Sequence, residues 1–343
     1  MAETVKRKPG AARAALASLG GLPVSGQPAS GSPPPKLSGS LSGVKFISGV
    51  PAEPDENAPK ALPIISPNCS DLAPPSVVCK RFPDGESYCR LEKVAGLRGK
   101  QVTILHRLFP NPDQNLVTLL QMMYGARENG AAGVNLIIPY LPYARADKEW
   151  LEGEVVSARL LMRLLRESGA HRVITWDCHF LKKPGRFEFE GLEIDNLCAG
   201  PGLVAHLKAA KPNALVVSPD AGAKYLVGDT GLFMRKERGA YAEGSQAYRP
   251  VAKMEADFDM KGRHVVLIDD MIAGGGTMVR ATQKCLESGA KSVSCAATHG
   301  MFLEGAMDKL HAAGAMRIVT TDTVPNPAAS ISIRPDIEKW MKV

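Results

Sequence analysis

From Val77 onward, short apolar runs alternate with longer stretches in which apolar residues recur every three or four positions. The short runs predict strands at Gln101–His106, Val134–Pro139, Arg172–Trp176, Ala214–Ser218, His264–Asp269, Ser292–Thr298 and Arg317–Thr320. The longer ones predict helices at Asp113–Glu128, Val155–Ser168, Thr277–Ser288 and Glu304–Ala313. Strands and helices taking turns imply mostly parallel sheets flanked by helices, and two such series imply two α/β domains side by side. Upstream, Pro51 to Pro75 is rich in proline and shows no helical period, which predicts an irregular connection. No apolar run approaches the roughly 18 residues that span a bilayer; Val134–Tyr140 is strand-sized.

The 343 residues leave room for two domains of ordinary size. Hydrophobic residues at 45% and charged residues at 22% are ordinary for a soluble globular chain, which argues against disorder throughout and against a membrane protein. The net charge of +7 is unevenly spread: Lys6, Arg7, Lys8, Arg13 and Lys36 face Glu3 alone in residues 1–43, so the tail holds +4 and the remainder only +3. That remainder suits a pocket for small anions better than a duplex-binding face, so neither nucleic acid nor membrane is expected as a partner. The tail itself, rich in Gly, Ser, Pro and Ala, reads as disordered or as a transit segment, without the apolar core of a secretory signal. The expected compartment is the cytoplasm, with organellar targeting by the tail as the alternative. Seven cysteines, an odd number without a CxxC pair, argue against a disulfide framework and read as small apolar residues.

The stretch richest in chemistry is Val265-Val266-Leu267-Ile268-Asp269-Asp270-Met271-Ile272-Ala273-Gly274-Gly275-Gly276-Thr277. An apolar strand ends in two carboxylates, a glycine turn follows, and a helix begins. At the carboxyl edge of a parallel sheet such a turn lets backbone N–H groups approach phosphate oxygens, with the positive end of the helix dipole behind them. The paired acids are wrong for bare phosphate but right for sugar hydroxyls and Mg²⁺ beside it.

This strand, acid pair and loop resemble the phosphoribosyl diphosphate-binding loop of type I phosphoribosyltransferases and ribose-phosphate diphosphokinases. The resemblance to the diphosphokinases runs in order from about Phe82 to about Pro325. It implies two phosphoribosyltransferase-like domains, residues 44–188 on the ATP side and 189–325 with the ribose 5-phosphate loop, followed by a segment 326–343. Phe82-Pro83-Asp84-Gly85-Glu86 is similar to the segment that reaches an adjoining subunit's ATP, which makes Phe82, Asp84 and Glu86 expected ATP contacts. Tyr143-Ala144-Arg145-Ala146-Asp147-Lys148 resembles the family's ATP-handling signature and adds Arg145, Asp147 and Lys148. His179 of Asp177-Cys178-His179 and Asp220 of Ser218-Pro219-Asp220-Ala221-Gly222 match the positions that hold Mg²⁺ near the triphosphate. Lys236 and Arg238 match the cations of the catalytic loop, with His179 beside them. Asp269, Asp270, Ala273, Gly274, Gly275, Gly276 and Thr277 match the ribose 5-phosphate site.

What the resemblance implies is transfer of diphosphate from ATP to the C1 hydroxyl of ribose 5-phosphate, with Mg²⁺ as cofactor, in a homo-oligomer of dimers or hexamers. Departures from the family pattern are Ala146 for Gln, and Ala273 and Gly274 where an acid or Ser and a Thr are usual. Two other readings stay open: a catalytically weak regulatory homologue, and a phosphoribosyltransferase that consumes the product. Retention of His179, Lys236, Arg238 and both loop acids weighs against the first, and the ATP segments weigh against the second.

Overall fold

The computed structural model describes residues 43–51, 61–238 and 251–341. The tail expected at 1–43 lies, Gly43 apart, outside them. The first half runs β1 (Lys45–Ser48), β2 (Leu62–Ile65), the hairpin β3 (Val77–Arg81) and β4 (Ser87–Leu91), then β5 (Gln101–Leu105), α1 (Pro112–Glu128), β6 (Gly133–Ile137), α2 (Ser157–Glu167), β7 (Ala170–Trp176), β8 (Gly185–Phe189) and β9 (Leu192–Leu197). The second half continues α3 (Gly200–Ala210), β10 (Leu215–Val217), β11 (Arg235–Arg238), β12 (Val251–Glu255), β13 (His264–Ile272), α4 (Gly276–Glu287), β14 (Ser292–Gly300), α5 (Ala306–Ala312), β15 (Ala315–Thr321), β16 (Ala329–Ile331) and α6 (Arg334–Met341). Helices α1, α2, α4 and α5 each stop just ahead of a left-handed glycine, Gly130, Gly169, Gly289 and Gly314, the residue that terminates a helix without steric penalty.

Two sheets carry the fold, in the orders β1-β8-β9-β7-β6-β5-β2 and β10-β13-β14-β15-β16. The second is parallel throughout, and the first is parallel from β9 to β2 with β8 and β1 antiparallel at one edge. The α/β class with helix-flanked parallel sheets is therefore borne out. Alternate side chains of the central strands feed opposite cores, as the pleat requires. Ile104, Leu136 and Val173 pack with α1 and α2, whereas Leu105, Ile137 and Ile174 pack with α6. In the second sheet Val265 and Leu267 face α4 and α5 while Val266 and Ile268 face α3. Burial on both faces is why these strands read as unbroken apolar runs.

The proline-rich stretch expected to be irregular contains β2. Its Pro63 is tolerated because β2 is an edge strand: Ser66 N–H, in step with Leu62 and Ile64, bonds the Leu105 carbonyl, so the missing Pro63 N–H falls on the open side. The boundary expected at 188/189 falls inside a hairpin, because β9 pairs with both β8 and β7 and completes the first sheet through Leu197. Segment 326–343 is divided as well. Its β16 closes the second sheet, and α6 returns to the first, with Ile337 and Trp340 against Ile174 and Trp176.

The carboxyl ends of the two sheets meet along a polar seam. Arg107, buried just past β5, grips the Asp71 carboxylate with both terminal nitrogens at 2.5 and 2.9 Å, and donates to the carbonyls of Asp322 at 2.6 Å and Thr323 at 3.3 Å beyond β15. His299, at the end of β14, donates from Nε2 to the Trp176 carbonyl at 3.0 Å, and its Nδ1 lies 2.9 Å from Thr323 Oγ1. Asp177, fully buried after β7, accepts from Thr298 Oγ1 at 2.6 Å and from the Ala199 N–H at 2.9 Å, while its Oδ1 has no hydrogen-bond partner. Tyr140, Met271 and Val324 fill the apolar gap between these bonds.

Two predictions come from the seam. Arg107→Ala leaves the Asp322 and Thr323 carbonyls buried without their donor and lowers unfolding free energy by about 3 kcal/mol in urea titration; Arg107→Lys recovers little, since an ammonium cannot reproduce the fork. A loss near zero for Arg107→Ala would show that the seam does not bind the halves. Asp177 behaves oppositely to a surface aspartate. Burial lifts it from 3.8 to about 6 against the hydroxyl and N–H that favour its anion. Because the folded value lies above the unfolded one, its contribution is fully present below about pH 4 and is lost as pH rises through about 6. Asp177→Asn removes that dependence, so the variant gains on the parent by on the order of 3 kcal/mol between pH 4 and pH 7. Parallel denaturant titrations of the metal-free proteins test it, and a difference independent of pH would contradict it.

Candidate active site

The expected loops after β6, β7, β10 and β13 leave the carboxyl ends of parallel strands, the edge where helix N-termini and unpaired backbone donors converge. After β6 the chain turns through Tyr143, left-handed at φ +61°, and presents an exposed Arg145 with Asp147 and Lys148 half-buried behind it. Tyr143 donates its hydroxyl to Asp113 at the start of α1, and Lys148 Nζ stands 3.9 Å from the Trp150 ring centroid. After β7 the backbone turns through Asp177 at φ +38°, a strained value for a residue with a side chain, and delivers His179 outward. After β10, Asp220 turns its Oδ1 back onto the Gly222 N–H at 2.8 Å and opens a 3-10 turn.

The strongest result concerns β13. Asp269 and Asp270 lie at its carboxyl end, both buried, and His179 from the other half donates Nδ1–H to Asp270 Oδ2 at 2.6 Å. Burial opposes ionisation of Asp270, yet the His179 charge and hydrogen bond, with a bond involving Asp269, hold it below the usual aspartate range. The acid ending β13 and the histidine beyond β7 thus form one pair. Nδ1 is committed to the Asp270 carboxylate, and Nε2 of His179 has no hydrogen-bond partner among the described residues. Asp147 and Asp270 also act together on Cys178: burial pushes its thiol far up, and both charges add to the shift.

Beyond Ile272, residues 273–277 form the expected turn into α4. Gly275 is left-handed at φ +78° and a Cβ there would come within 3.0 Å of Ala306 Cβ, so only glycine fits. Gly274 differs: its φ is outside the left-handed region, and the nearest atom to an added Cβ is Glu304 Oε2 at an unstrained 3.7 Å. The N-cap of α4 is Gly275, which offers no side chain to its first turn. The Leu303 N–H bonds the Ala273 carbonyl at 3.0 Å and holds the turn from behind.

Phe82, Asp84 and Glu86 occupy the tip of the β3–β4 hairpin. Bonds there join Phe82, Asp84, Gly85 and Glu86 to one another, and the Phe82 ring meets Tyr88 at 5.9 Å and Lys80 Nζ at 5.3 Å, all within the hairpin. Lys236 and Arg238 lie on β11, which pairs with β12, and their side chains are outside the described ones. Among the described residues no group of three or more His, Cys, Asp or Glu is placed to hold a metal, so His179 and Asp220 do not form a protein cage.

Sequence reasoning did not pick out Glu304, an acid at the mouth of the phosphate turn, or Arg107, since neither sits in a recognisable motif. His299 is close to the acids yet structural: both ring nitrogens are engaged in the seam, and burial lowers it to about 4.

Residues 68–169 match the N-terminal domain of ribose phosphate pyrophosphokinase, and residues 246–335 match the phosphoribosyl synthetase-associated domain. The ribose-phosphate pyrophosphokinase of Methanopyrus kandleri is 34% identical over 270 residues, 78% of this chain and 90% of that one. That of Sulfolobus acidocaldarius is 32% identical over 260 residues, covering 74% and 86%. The chloroplastic ribose-phosphate pyrophosphokinase 2 of Spinacia oleracea is 32% identical over 256 residues, covering 73% and 63%. Among solved structures, a phosphoribosylpyrophosphate synthetase from Mycobacterium smegmatis superposes with a TM-score of 0.66 at 27% identity, over 82% of this chain and 98% of that one. With two domain matches in order and relatives aligned over most of both chains, the protein belongs to the ribose-phosphate pyrophosphokinase family.

Proposed function

We propose that this chain transfers the β,γ-diphosphate of ATP to the C1 hydroxyl of ribose 5-phosphate, releasing AMP. The observation that carries the reading is the 2.6 Å bond between His179, from the half bearing the ATP-type loop, and Asp270, at the ribose-type loop. It makes one site of two halves. In this site the N-terminal turn of α4 and residues Ala273, Gly274, Gly275, Gly276 and Thr277 receive the 5-phosphate. Asp269 and Asp270 accept hydrogen bonds from the ribose hydroxyls and orient C1–OH toward the β-phosphorus. Arg145, Asp147 and Lys148 take the triphosphate side, with Phe82, Asp84 and Glu86 reaching the adenine from an adjoining subunit of a homo-oligomer. The new bond joins the C1 oxygen to the β-phosphorus, and the bond from that phosphorus to the α-phosphate oxygen breaks.

The donor set fits Mg²⁺. A polyphosphate approaching buried Asp269 and Asp270 needs a divalent cation between them, and Mg²⁺ is ordinarily held by one or two protein groups together with substrate phosphates and water. His179, through its uncommitted Nε2, and Asp220 would hold it, and it would neutralise charge on the diphosphate. Lys236 and Arg238, on β11, act on the transferring group, where stabilising developing charge is the main work of catalysis. No helix of the described residues is long and apolar enough to cross a membrane. We place the enzyme in the cytoplasm, or in an organelle should residues 1–43 direct import.

Pure protein with ATP, Mg²⁺ and ribose 5-phosphate should yield AMP in proportion to phosphoribosyl diphosphate. AMP without a sugar product would defeat the assignment. Lys236→Ala should lower kcat by on the order of 10³-fold with little change in either KM, since its contact is made in the transition state; a change in KM alone would remove it from catalysis. Gly274→Thr should lower KM for ribose 5-phosphate roughly tenfold and leave that for ATP unchanged, because a hydroxyl fits there and one bond to a charged oxygen contributes about 1.5–3 kcal/mol. An unchanged KM for the sugar phosphate would show that residues 273–277 are not its cradle.

A further inference from the structure

Cys79 on β3 and Cys89 on β4 stand directly opposite one another, with Sγ atoms 4.0 Å apart and both thiols free. Their place in the ladder is set by the turn. Phe82 N–H bonds the Glu86 carbonyl and Gly85 N–H bonds the Phe82 carbonyl, a three-residue loop closed by left-handed Gly85 at φ +96°. Phe82 and Glu86 are therefore a hydrogen-bonded pair. Antiparallel pairs alternate, so Arg81 and Ser87 are non-hydrogen-bonded, Lys80 and Tyr88 hydrogen-bonded, and Cys79 and Cys89 non-hydrogen-bonded. That class brings Cα atoms to about 4.5 Å and side chains closest together, inside the range a disulfide spans.

We propose that Cys79 and Cys89 are a reversible disulfide site, oxidised by thiol–disulfide exchange with a small-molecule disulfide. The Cys79 thiolate attacks one sulfur of the small disulfide, forming a mixed disulfide and expelling one thiolate. Cys89, losing its proton, then attacks Cys79 Sγ and expels the second. Two protein thiols lose two hydrogens in all, and the small disulfide is reduced to two thiols. The order follows from the surroundings: hydrogen bonds from Cys89 and Ser66 favour the Cys79 thiolate and, against its burial, bring its pKa below the ordinary value, while Cys89, beside that thiolate, is pushed up. Both cysteines are only half-buried, at the margin of the first core. The other five differ: Cys69, Cys178, Cys285 and Cys295 are buried, Cys198 is half-buried with no cysteine opposite it in a ladder, and burial raises every one of them. The cross-link would lie at the base of the turn that carries Phe82, Asp84 and Glu86, but the proposal holds whether or not that turn meets nucleotide.

The full-length protein, equilibrated in mixtures of reduced and oxidised glutathione, is quenched with N-ethylmaleimide and mapped by peptide mass spectrometry. The expected result is a linked Cys79–Cys89 peptide lighter by two hydrogens, rising with the oxidised fraction and abolished by dithiothreitol, with the buried cysteines labelled only after unfolding. Cys89→Ser should instead accumulate glutathione on Cys79, because no second thiol resolves it. Both thiols recovered in alkylated form in every mixture, or a lasting glutathione adduct on Cys79 of the parent, would overturn the proposal.

Discussion

Two parallel sheets can be joined at the carboxyl ends of their strands only if the polar groups gathered there are bonded across the join. Strand ends and the turns beyond them carry unpaired carbonyls and N–H groups, and in this protein they also carry carboxylates. Leaving such groups buried without partners would cost more than the apolar contacts around Tyr140 and Met271 return. The chain meets the constraint with long-range bonds: Arg107 to the carbonyls beyond β15, His299 to Trp176, Thr298 to Asp177 and His179 to Asp270. The helix α6 closes the same junction from the side, with the Trp176 indole donating to Asp336 at 3.2 Å.

The seam fixes the chemistry as well as the architecture. Asp177 and Asp270 are two buried aspartates on opposite sides of the join, and they shift in opposite directions: burial pushes Asp177 up against the bonds that favour its anion, while the His179 imidazole holds Asp270 down. One becomes a structural group that resists ionisation. The other is held as a carboxylate at the end of β13. The bond that holds Asp270 down also fixes the His179 ring across the join, leaving its Nε2 without a hydrogen-bond partner among the described residues.

The turn between β13 and α4 shows a division of labour between neighbouring glycines. Gly275 is required by backbone geometry and by Ala306 pressed against it, whereas Gly274 sits in ordinary backbone with space beside it. The loss of a side chain at 274 is thus a choice about bonding rather than about folding. Glu304 Oε2 lies 3.7 Å from where a Cβ at 274 would stand.

Much of this was legible in the residues. The βαβ rhythm, the acids ending β13, the glycine turn and the order of the remaining motifs depend on local period and on backbone chemistry, and they yield the fold class and the family without coordinates. What stayed hidden is what depends on neighbours far along the chain. Pro63 masks β2 because a proline rule cannot know that its strand lies at an edge. The β8–β9 hairpin and α6 belong to the first sheet through pairings that no local pattern marks. Cys79 and Cys89 look like two scattered thiols until strand register sets them opposite each other. Arg107 looks like a solvated charge until burial and folding give it partners. Period and composition report what each residue prefers, but pairing, burial and the joining of the two sheets arise only when distant segments compete for the same bonds, and only the tertiary structure records the outcome.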